Sequence, residues 1–257
     1  MRGLTGQRII IAGGANGIGA GTAERLAAEG ATVVIGDINV DAANATAKRI
    51  TDGGGTALAV EFDLADERSV RALFDAAVDQ LGGIDGLYNV GADASADVLG
   101  RDGDLLDMDP AVWRRTLDVN LIGFALTCRA ALPLLLEQGG GAIVNTSSLS
   151  AHVGDHQRAA YQTSKAGINA LTRHVASRWG KQGIRCNCVS PGVVMTESAE
   201  KMALTPEALE FARMTIPSPR FGEPGDLAGV VAFLLSDDGE WINGQVWSVN
   251  GGALLRE

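Results

Sequence analysis

Cysteine is scarce: Cys128, Cys186 and Cys188 are the only three in 257 residues. Their number and uneven placing exclude a disulfide framework, and no ligand-spaced histidines stand near the C-x-C pair to make a metal site. In I-R-C-N-C-V-S the two cysteines fall on the same side of a strand, so reduced thiols inside the core are expected. Histidine is as rare, with three residues. His152 and His156 are four apart, but Gly154-Asp155 between them reads as a loop rather than the shared helix face an i, i+4 metal pair needs, and no metal is expected. Positive charge is also short. Lys and Arg number 21 against 31 Asp and Glu, a formal charge of −10. Without clustered cations a phosphate backbone is not neutralised, so no nucleic-acid partner is expected, and the acidic excess favours solubility. No uncharged apolar run approaches the roughly 18 residues of a membrane span, and the first residues lack the apolar core of a signal peptide. The expectation is a cytoplasmic protein with no membrane partner. The four tryptophans, Trp113, Trp179, Trp241 and Trp247, are too dispersed for a stacking platform and read as core or interface aromatics.

What the chain has is apolar mass. Hydrophobic residues make up 46% of it, enough to bury a sizeable core in one domain over residues 1–257. Strand-like runs stand at Arg8–Ala12, Thr32–Ile35, Thr56–Phe62, Ile84–Asn89, residues 141–146, Ile184–Val189 and Gln245–Val249. Helix-like stretches stand between them, at residues 20–30, Asp41–Ile50, Glu67–Leu81, residues 110–136, the segment from Ala159 onward and Pro224–Leu235. Residues from Pro191 to about Gly222 read as irregular. Such alternation with short connections predicts a parallel sheet covered on both faces.

The first unit is strand, glycine turn, helix. Gly13, Gly17 and Gly19 permit a tight turn and close backbone approach, and the helix they open offers unpaired N–H groups and a positive dipole to an anion such as a dinucleotide pyrophosphate. A glycine run alone serves equally as tight strand–helix packing. Here, however, a second strand ends at Gly36-Asp37, and Asp37 lies 18 residues beyond Gly19. That is close to the roughly 20-residue offset at which an acidic side chain meets the adenosine ribose in Rossmann-type sites.

A second cluster runs from Ser148 to Lys165. Tyr161 and Lys165 are four apart, so on a helix the phenol and the ammonium share a face. A free phenol, with a pKa of about 10, is a weak base at neutral pH, and a cation within about 4–6 Å is expected to lower it by roughly 1–3 units. A lone Y-x-x-x-K is also what a solvated helix face carries. Ser148, however, follows the apolar run G-A-I-V-N-T, a buried strand whose carboxyl end opens into a loop, and that is where open α/β sheets bind ligands.

Together these features resemble the short-chain dehydrogenase/reductase family. Its T-G-x-x-x-G-x-G stands here as Ala12 to Gly19, its aspartate before the adenine pocket as Asp63-Leu64, and its N-N-A-G as Asn89-Val90-Gly91-Ala92. Its helix asparagine matches Asn120, its serine thirteen before the tyrosine is Ser148, and its P-G-x-x-x-T is Pro191 to Thr196. Two positions depart from the pattern: Ala12 replaces a threonine, and Val90-Gly91-Ala92 rearranges a turn. The resemblance covers nearly the whole chain. It implies a single doubly wound Rossmann-type α/β sheet and NAD as cofactor. The residues implied to hold NAD are Gly13, Asn16, Gly17, Ile18, Gly19, Asp37, Ile38, Asp63, Leu64, Asn89, Tyr161, Lys165, Pro191, Gly192, Val194 and Thr196. NAD is expected over NADP because Asp37 would repel a 2′-phosphate and no cation flanks it at Gly36, Ile38 or Asn16. The implied catalytic set is Asn120, Ser148, Tyr161 and Lys165. Tyr161 exchanges a proton with a secondary alcohol or ketone, Lys165 stabilises the phenolate and holds the nicotinamide ribose, Ser148 binds the substrate oxygen, and Asn120 positions a water.

Relatives of this kind form homotetramers, and F-A-L-T-C-R-A-A-L-P-L-L-L and the terminal W-S-V-N-G-G-A-L-L fit interface surface. The family uses the stretch of about 193–222 as a substrate lid. Its Val193, Val194, Met195, Met202, Leu204, Leu209, Phe211, Met214 and Ile216 suit a hydrophobic substrate, although a lid needs a buried face in any case. His152, Asp155, His156 and Arg158 stand ready for one polar substituent. Two other readings remain: reduction of a 3-oxoacyl thioester, and a nucleotide-binding regulatory protein without catalysis. The second needs none of Ser148, Tyr161 and Lys165 together.

Overall fold

The computed structural model describes residues 1–197 and 206–255. Seven parallel strands form one sheet in the order β3-β2-β1-β4-β5-β6-β7. They are β1 (Arg8–Ala12), β2 (Thr32–Asp37), β3 (Thr56–Glu61), β4 (Gly86–Asn89), β5 (Gly141–Thr146), β6 (Ile184–Pro191) and β7 (Val246–Val249). The helices between them are α1 (Gly17–Ala28), α2 (Val40–Asp52), α3 (Glu67–Leu81), α4 (Pro110–Leu117), α5 (Gly123–Glu137), α6 (Ala159–Trp179), α7 (Pro206–Thr215) and α8 (Pro224–Leu235).

The strands read as continuous apolar runs because the sheet is covered twice. Period-2 geometry still divides them: Ile10 packs with Leu73, Phe74, Leu87 and Phe124 in one core, and Ile9 and Ile11 pack with Leu26, Val33, Leu227 and Val231 in the other. The three cysteines are buried and none is in a disulfide, and Cys186 and Cys188 lie in the same core. Where α1 meets α8, a Cβ on Gly21 would stand 2.8 Å from Pro224 Cβ, so that crossing requires glycine. Strand β1 is tied to β4 at its start by Arg8, whose Nη2 and Nε meet the Asp85 carboxylate at 2.7 and 2.8 Å.

Helices α4 and α5 are continuous through a π-helical turn, Asp118–Ile122. The resulting rod, Pro110–Glu137, is long and apolar enough to cross a membrane. Half of its most apolar window is buried within this fold, as in a core helix. Its apolar residues Phe124, Cys128, Ala131, Leu132 and Leu135 belong to the core shared with α3 and α6.

Between that core and the sheet lies a buried polar cluster. Asn89 Nδ2 donates to Asn145 Oδ1 at 2.9 Å, Thr127 Oγ1 donates to Asn89 Oδ1 at 2.7 Å, and Asn145 Nδ2 donates to Thr172 Oγ1 at 3.0 Å. Strands β4 and β5 are thereby bonded to α5 and α6. The side chain of Asn89, a residue expected at the cofactor, is fully buried and spent on this cluster, which leaves only its backbone for such a contact. Asn145→Ala should strand two buried partners, a loss of about 2–4 kcal/mol given roughly 1–3 kcal/mol per unsatisfied group. Urea denaturation with an unchanged m-value would register it, and a loss well under 1 kcal/mol would show the cluster to be incidental.

Candidate active site

Neighbouring strands β1 and β4 send their connections to opposite faces of the sheet, and a crevice opens beyond their carboxyl ends. It is a cleft of about 740 Å³. Of the residues named from sequence, Gly13, Asn16, Gly17, Ile18, Gly19, Asp37, Ile38, Asp63, Leu64, Ser148, Tyr161, Lys165, Pro191, Gly192, Val194 and Thr196 all line it. Asn89 and Asn120 do not.

At one end the chain is pared to backbone. Gly13 has φ +98°, and a Cβ there would stand 2.3 Å from Gly91 Cα, while a Cβ on Gly19 would stand 2.1 Å from the Gly13 oxygen. Both departures from the family pattern meet here. Ala12 offers its carbonyl to the N–H groups of Val90 and Gly91, at 3.0 and 2.8 Å, so backbone does the tying that a threonine hydroxyl would otherwise do. Asn16 caps α1 without a side-chain bond, which leaves the first N–H groups of α1 without a side-chain acceptor from the cap. Asp37 closes this end from β2; its Oδ2 accepts the Ala15 N–H and its Oδ1 the Asn39 N–H, each at 3.0 Å. A glycine cradle, an open helix N-terminus and a ribose-height carboxylate fit an extended dinucleotide.

At the other end the proton-transfer groups gather. Ser148 leaves β5 into a short 3-10 turn, its hydroxyl accepts the Ser150 N–H at 3.2 Å, and the same hydroxyl favours the charged form of the Tyr161 phenol. Lys165 is almost fully buried, and its Nζ donates to the Thr146 carbonyl at 3.0 Å, with the rings of Phe124 and Tyr161 centred 5.5 and 5.6 Å away. Burial lowers its pKa to about 8, and the Cys188 thiol opposes that shift. On balance the phenol is raised, not lowered as the nearness of Lys165 led one to expect. Burial raises the Tyr161 pKa, and only the Ser148 hydroxyl and the Arg158 charge pull it down. The ammonium is held toward a carbonyl and is itself short of solvent, so it favours phenolate less than proximity suggested.

Asn120 sits in the π-helical turn. Its Oδ1 accepts the Asp93 N–H at 3.0 Å, and its buried Nδ2 has no partner among the described residues. Asp93 in turn accepts from Arg115 Nε at 3.0 Å, and both line the cleft. His152 stands 3.5 Å from Asn169 Nδ2 through Nε2. Of the lid, Val194 and Ile216 are buried, while Met214 is 76% exposed. Only Val193 and Val194 of the nine apolar lid residues line the cleft among those described; Met202 and Leu204 lie outside the described residues, as do the side chains of Leu209 and Phe211. The lid's ends are zipped together, Met195 N–H to the Gly222 carbonyl at 2.8 Å and Gly222 N–H to the Val193 carbonyl at 3.0 Å.

Sequence reasoning missed Asp102. Its buried carboxylate accepts the Ala160 and Tyr161 N–H groups at 3.1 and 2.8 Å, and its carbonyl accepts the Arg158 N–H at 2.8 Å. It caps α6 from a loop 59 residues upstream of Tyr161. Nothing in R-D-G-D-L-L-D-M-D distinguishes that aspartate from its acidic neighbours.

A family model described as enoyl-(acyl carrier protein) reductase matches residues 12–253. A probable short-chain type dehydrogenase/reductase of Bradyrhizobium diazoefficiens is 42% identical over 252 residues, covering 97% of this chain and 88% of the relative. The cis-4-hydroxycyclohexanecarboxylate dehydrogenase of Sinomonas cyclohexanicum is 38% identical over 243 residues, 95% and 94% of the two chains. Among solved structures, a 7α-hydroxysteroid dehydrogenase complexed with NADH and 7-oxo glycochenodeoxycholic acid superposes with TM-score 0.92 at 33% identity, covering 99% of this chain and 96% of that one.

The chain has only two tyrosines, which makes the electrostatics measurable. Both phenols are raised by burial, Tyr88 the further. In Tyr88→Phe, tyrosinate absorbance should therefore report Tyr161 alone, titrating above the ordinary value of about 10. Ser148→Ala removes a hydroxyl that favours phenolate, so the midpoint should move up. A midpoint below 10, or one that falls in the serine variant, would contradict this account.

Proposed function

The chain belongs to the short-chain dehydrogenase/reductase family, and from that premise we propose that it is an NAD-dependent oxidoreductase interconverting a secondary alcohol and a ketone on a largely hydrophobic, cyclic frame. The observation that carries this is the convergence of Ser148, Tyr161 and Lys165 at one end of a cleft whose other end is the glycine cradle. A nicotinamide dinucleotide bound in that cradle supplies the hydride acceptor or donor. The chain's own residues do the rest. Tyr161 takes the hydroxyl proton in oxidation and returns it to the carbonyl oxygen in reduction. Ser148, beside the phenol in the cleft, donates to the same substrate oxygen and steadies the charge that develops on it. Lys165 holds the nicotinamide ribose and favours phenolate, and Asn120, with an unspent buried donor, positions a water behind Lys165.

Asp37 supports NAD over NADP, since its carboxylate accepts from ribose hydroxyls and repels a 2′-phosphate. A cyclic frame is supported by the relatives named for ring alcohols and steroids. Leu99, Val119 and Leu149, none of them in the lid, supply apolar wall to the cleft. The match to a family described as acting on acyl-carrier-protein thioesters favours, as a second reading, a 3-oxoacyl thioester reductase. Mixing the protein with NAD and a panel of cyclic secondary alcohols should generate NADH absorbance, more slowly with NADP, and much faster than acetoacetyl thioester is reduced in reverse. Tyr161→Phe should lose turnover by the roughly 10²–10⁴-fold that a positioned acid–base group supplies, with NADH affinity within about threefold. Near-normal turnover in that variant would remove Tyr161 from the chemistry, and equal efficiency with NADP would remove Asp37 from cofactor choice.

We infer further that the protein is a homotetramer. Helices α3 and α5 flank an outward groove lined by Val70, Phe74, Leu126, Ala130, Pro133 and Leu134, an apolar floor rimmed by Glu67, Arg71 and Arg129. Light scattering at micromolar concentration should give four times the 26.6 kDa of one chain; a monomer would refute it.

A further inference from the structure

We propose that Arg158 forms an anion-recognition subsite at the Tyr161 end of the cleft, selecting ring alcohols and ketones that carry a carboxylate. This rests on the alcohol–ketone reading of the same cleft and adds a charge to its substrate.

Three observations converge on Arg158. Its backbone lies at φ 64°, ψ 38°, and it is the one non-glycine residue with positive φ among the described residues. Helix N-caps are ordinarily extended, and the left-handed region is taken at lower cost by glycine or asparagine. The conformation is enforced from outside. Asp102 takes the Arg158 N–H with its carbonyl and the next free N–H groups, of Ala160 and Tyr161, with its carboxylate. The capping that Arg158 itself does not supply is thus done by another loop, and the arginine side chain is left over.

That side chain lines the cleft with Tyr161, Ser148, Leu149 and Ser150. Its guanidinium has no hydrogen bond or ion pair among the described residues, whereas Arg2, Arg8, Arg25, Arg49, Arg101, Arg115, Arg129 and Arg220 are each paired with a carboxylate. The other charges nearby do not pair with it. In the cleft, Asp93 is matched by Arg115, and Asp37 and Asp63 belong to the glycine-turn end; behind it, the buried Asp102 carboxylate is bonded to two N–H groups. Three residues before the proton-transfer tyrosine there stands a planar, permanently charged fork with no internal partner. Such a fork fits a carboxylate through two parallel hydrogen bonds. A neutral steroid or alkyl alcohol would leave it unmatched inside a partly desolvated cleft.

The test uses ligands with nothing to oxidise, so that it stands apart from turnover. Cyclohexanecarboxylate and cyclohexanecarboxamide are titrated calorimetrically into the full chain saturated with NADH. The carboxylate should bind about tenfold tighter or more, as a charge-assisted bidentate pair does, and that preference should shrink as salt is added. In Arg158→Gln the preference should fall to within about twofold, and Arg158→Lys, with charge but no fork, should retain an intermediate part of it. The ratio between two ligands of one shape cancels any general loss from the substitution. No preference in the unsubstituted protein, or a preference that survives Arg158→Gln, overturns the subsite. A preference that depends on Arg158 in a protein that oxidises no alcohol would uphold the subsite and sink the alcohol–ketone reading instead.

Discussion

Everything at the cleft depends on how closely two backbone turns approach where the sheet parts. Gly13 follows β1 and Gly91 follows β4, and the two nearly touch, with the Ala12 carbonyl taking both N–H groups of the Val90-Gly91 turn. A Cβ at Gly13 would strike the Gly91 backbone, and one at Gly91 would stand 2.6 Å from Leu64 Cδ1. The contact fixes the glycine turn against the sheet and leaves the N-terminus of α1 facing open space. The long helix α6 then places its first turn at the far end of that space. Cradle and proton-transfer groups are thereby held at a fixed separation by one rigid sheet rather than by loops.

The site's electrostatics follow from burial more than from pairing. Lys165 and Tyr161 are neighbours on α6, yet each is pushed away from its charged form by loss of solvent, Lys165 down to about 8 and Tyr161 upward. Opposing terms come from polar contacts: the Ser148 hydroxyl and the Arg158 cation on the phenol. A carbonyl, that of Thr146, holds the ammonium. The arrangement is therefore poised rather than settled, and its protonation responds to whatever charge enters the cleft.

Much of this was legible in the sequence because it is local. Glycines at fixed offsets after an apolar run, an aspartate at the end of the next strand, and a tyrosine and lysine one helical turn apart are spacings that backbone geometry converts directly into position. The same spacing does not tell where the side chain of Asn89 goes. Its place after β4 suggested a ligand contact, but the side chain turns into the core to meet Asn145, Thr127 and Cys128, partners 38 to 56 residues away. Composition is as silent on the lid: Met214 counts as an apolar lid residue, and its side chain is exposed on α7.

The sequence by itself therefore determined the alternation of strands and helices, the family, and the glycine-cradle and proton-transfer residues named as candidates for the cleft. Tertiary structure alone decided which of them face it, how their pKa values shift, and what braces them. Asp102 is the clearest case. It is one aspartate in an acidic loop until folding carries it across 59 residues of chain to the first turn of α6, where it holds the N–H of Tyr161 and fixes Arg158 in a left-handed turn. Periodicity reports which face a residue takes on its own element. Which distant element supplies its partners, and how much water is left around it, are set only when the layers close on one another.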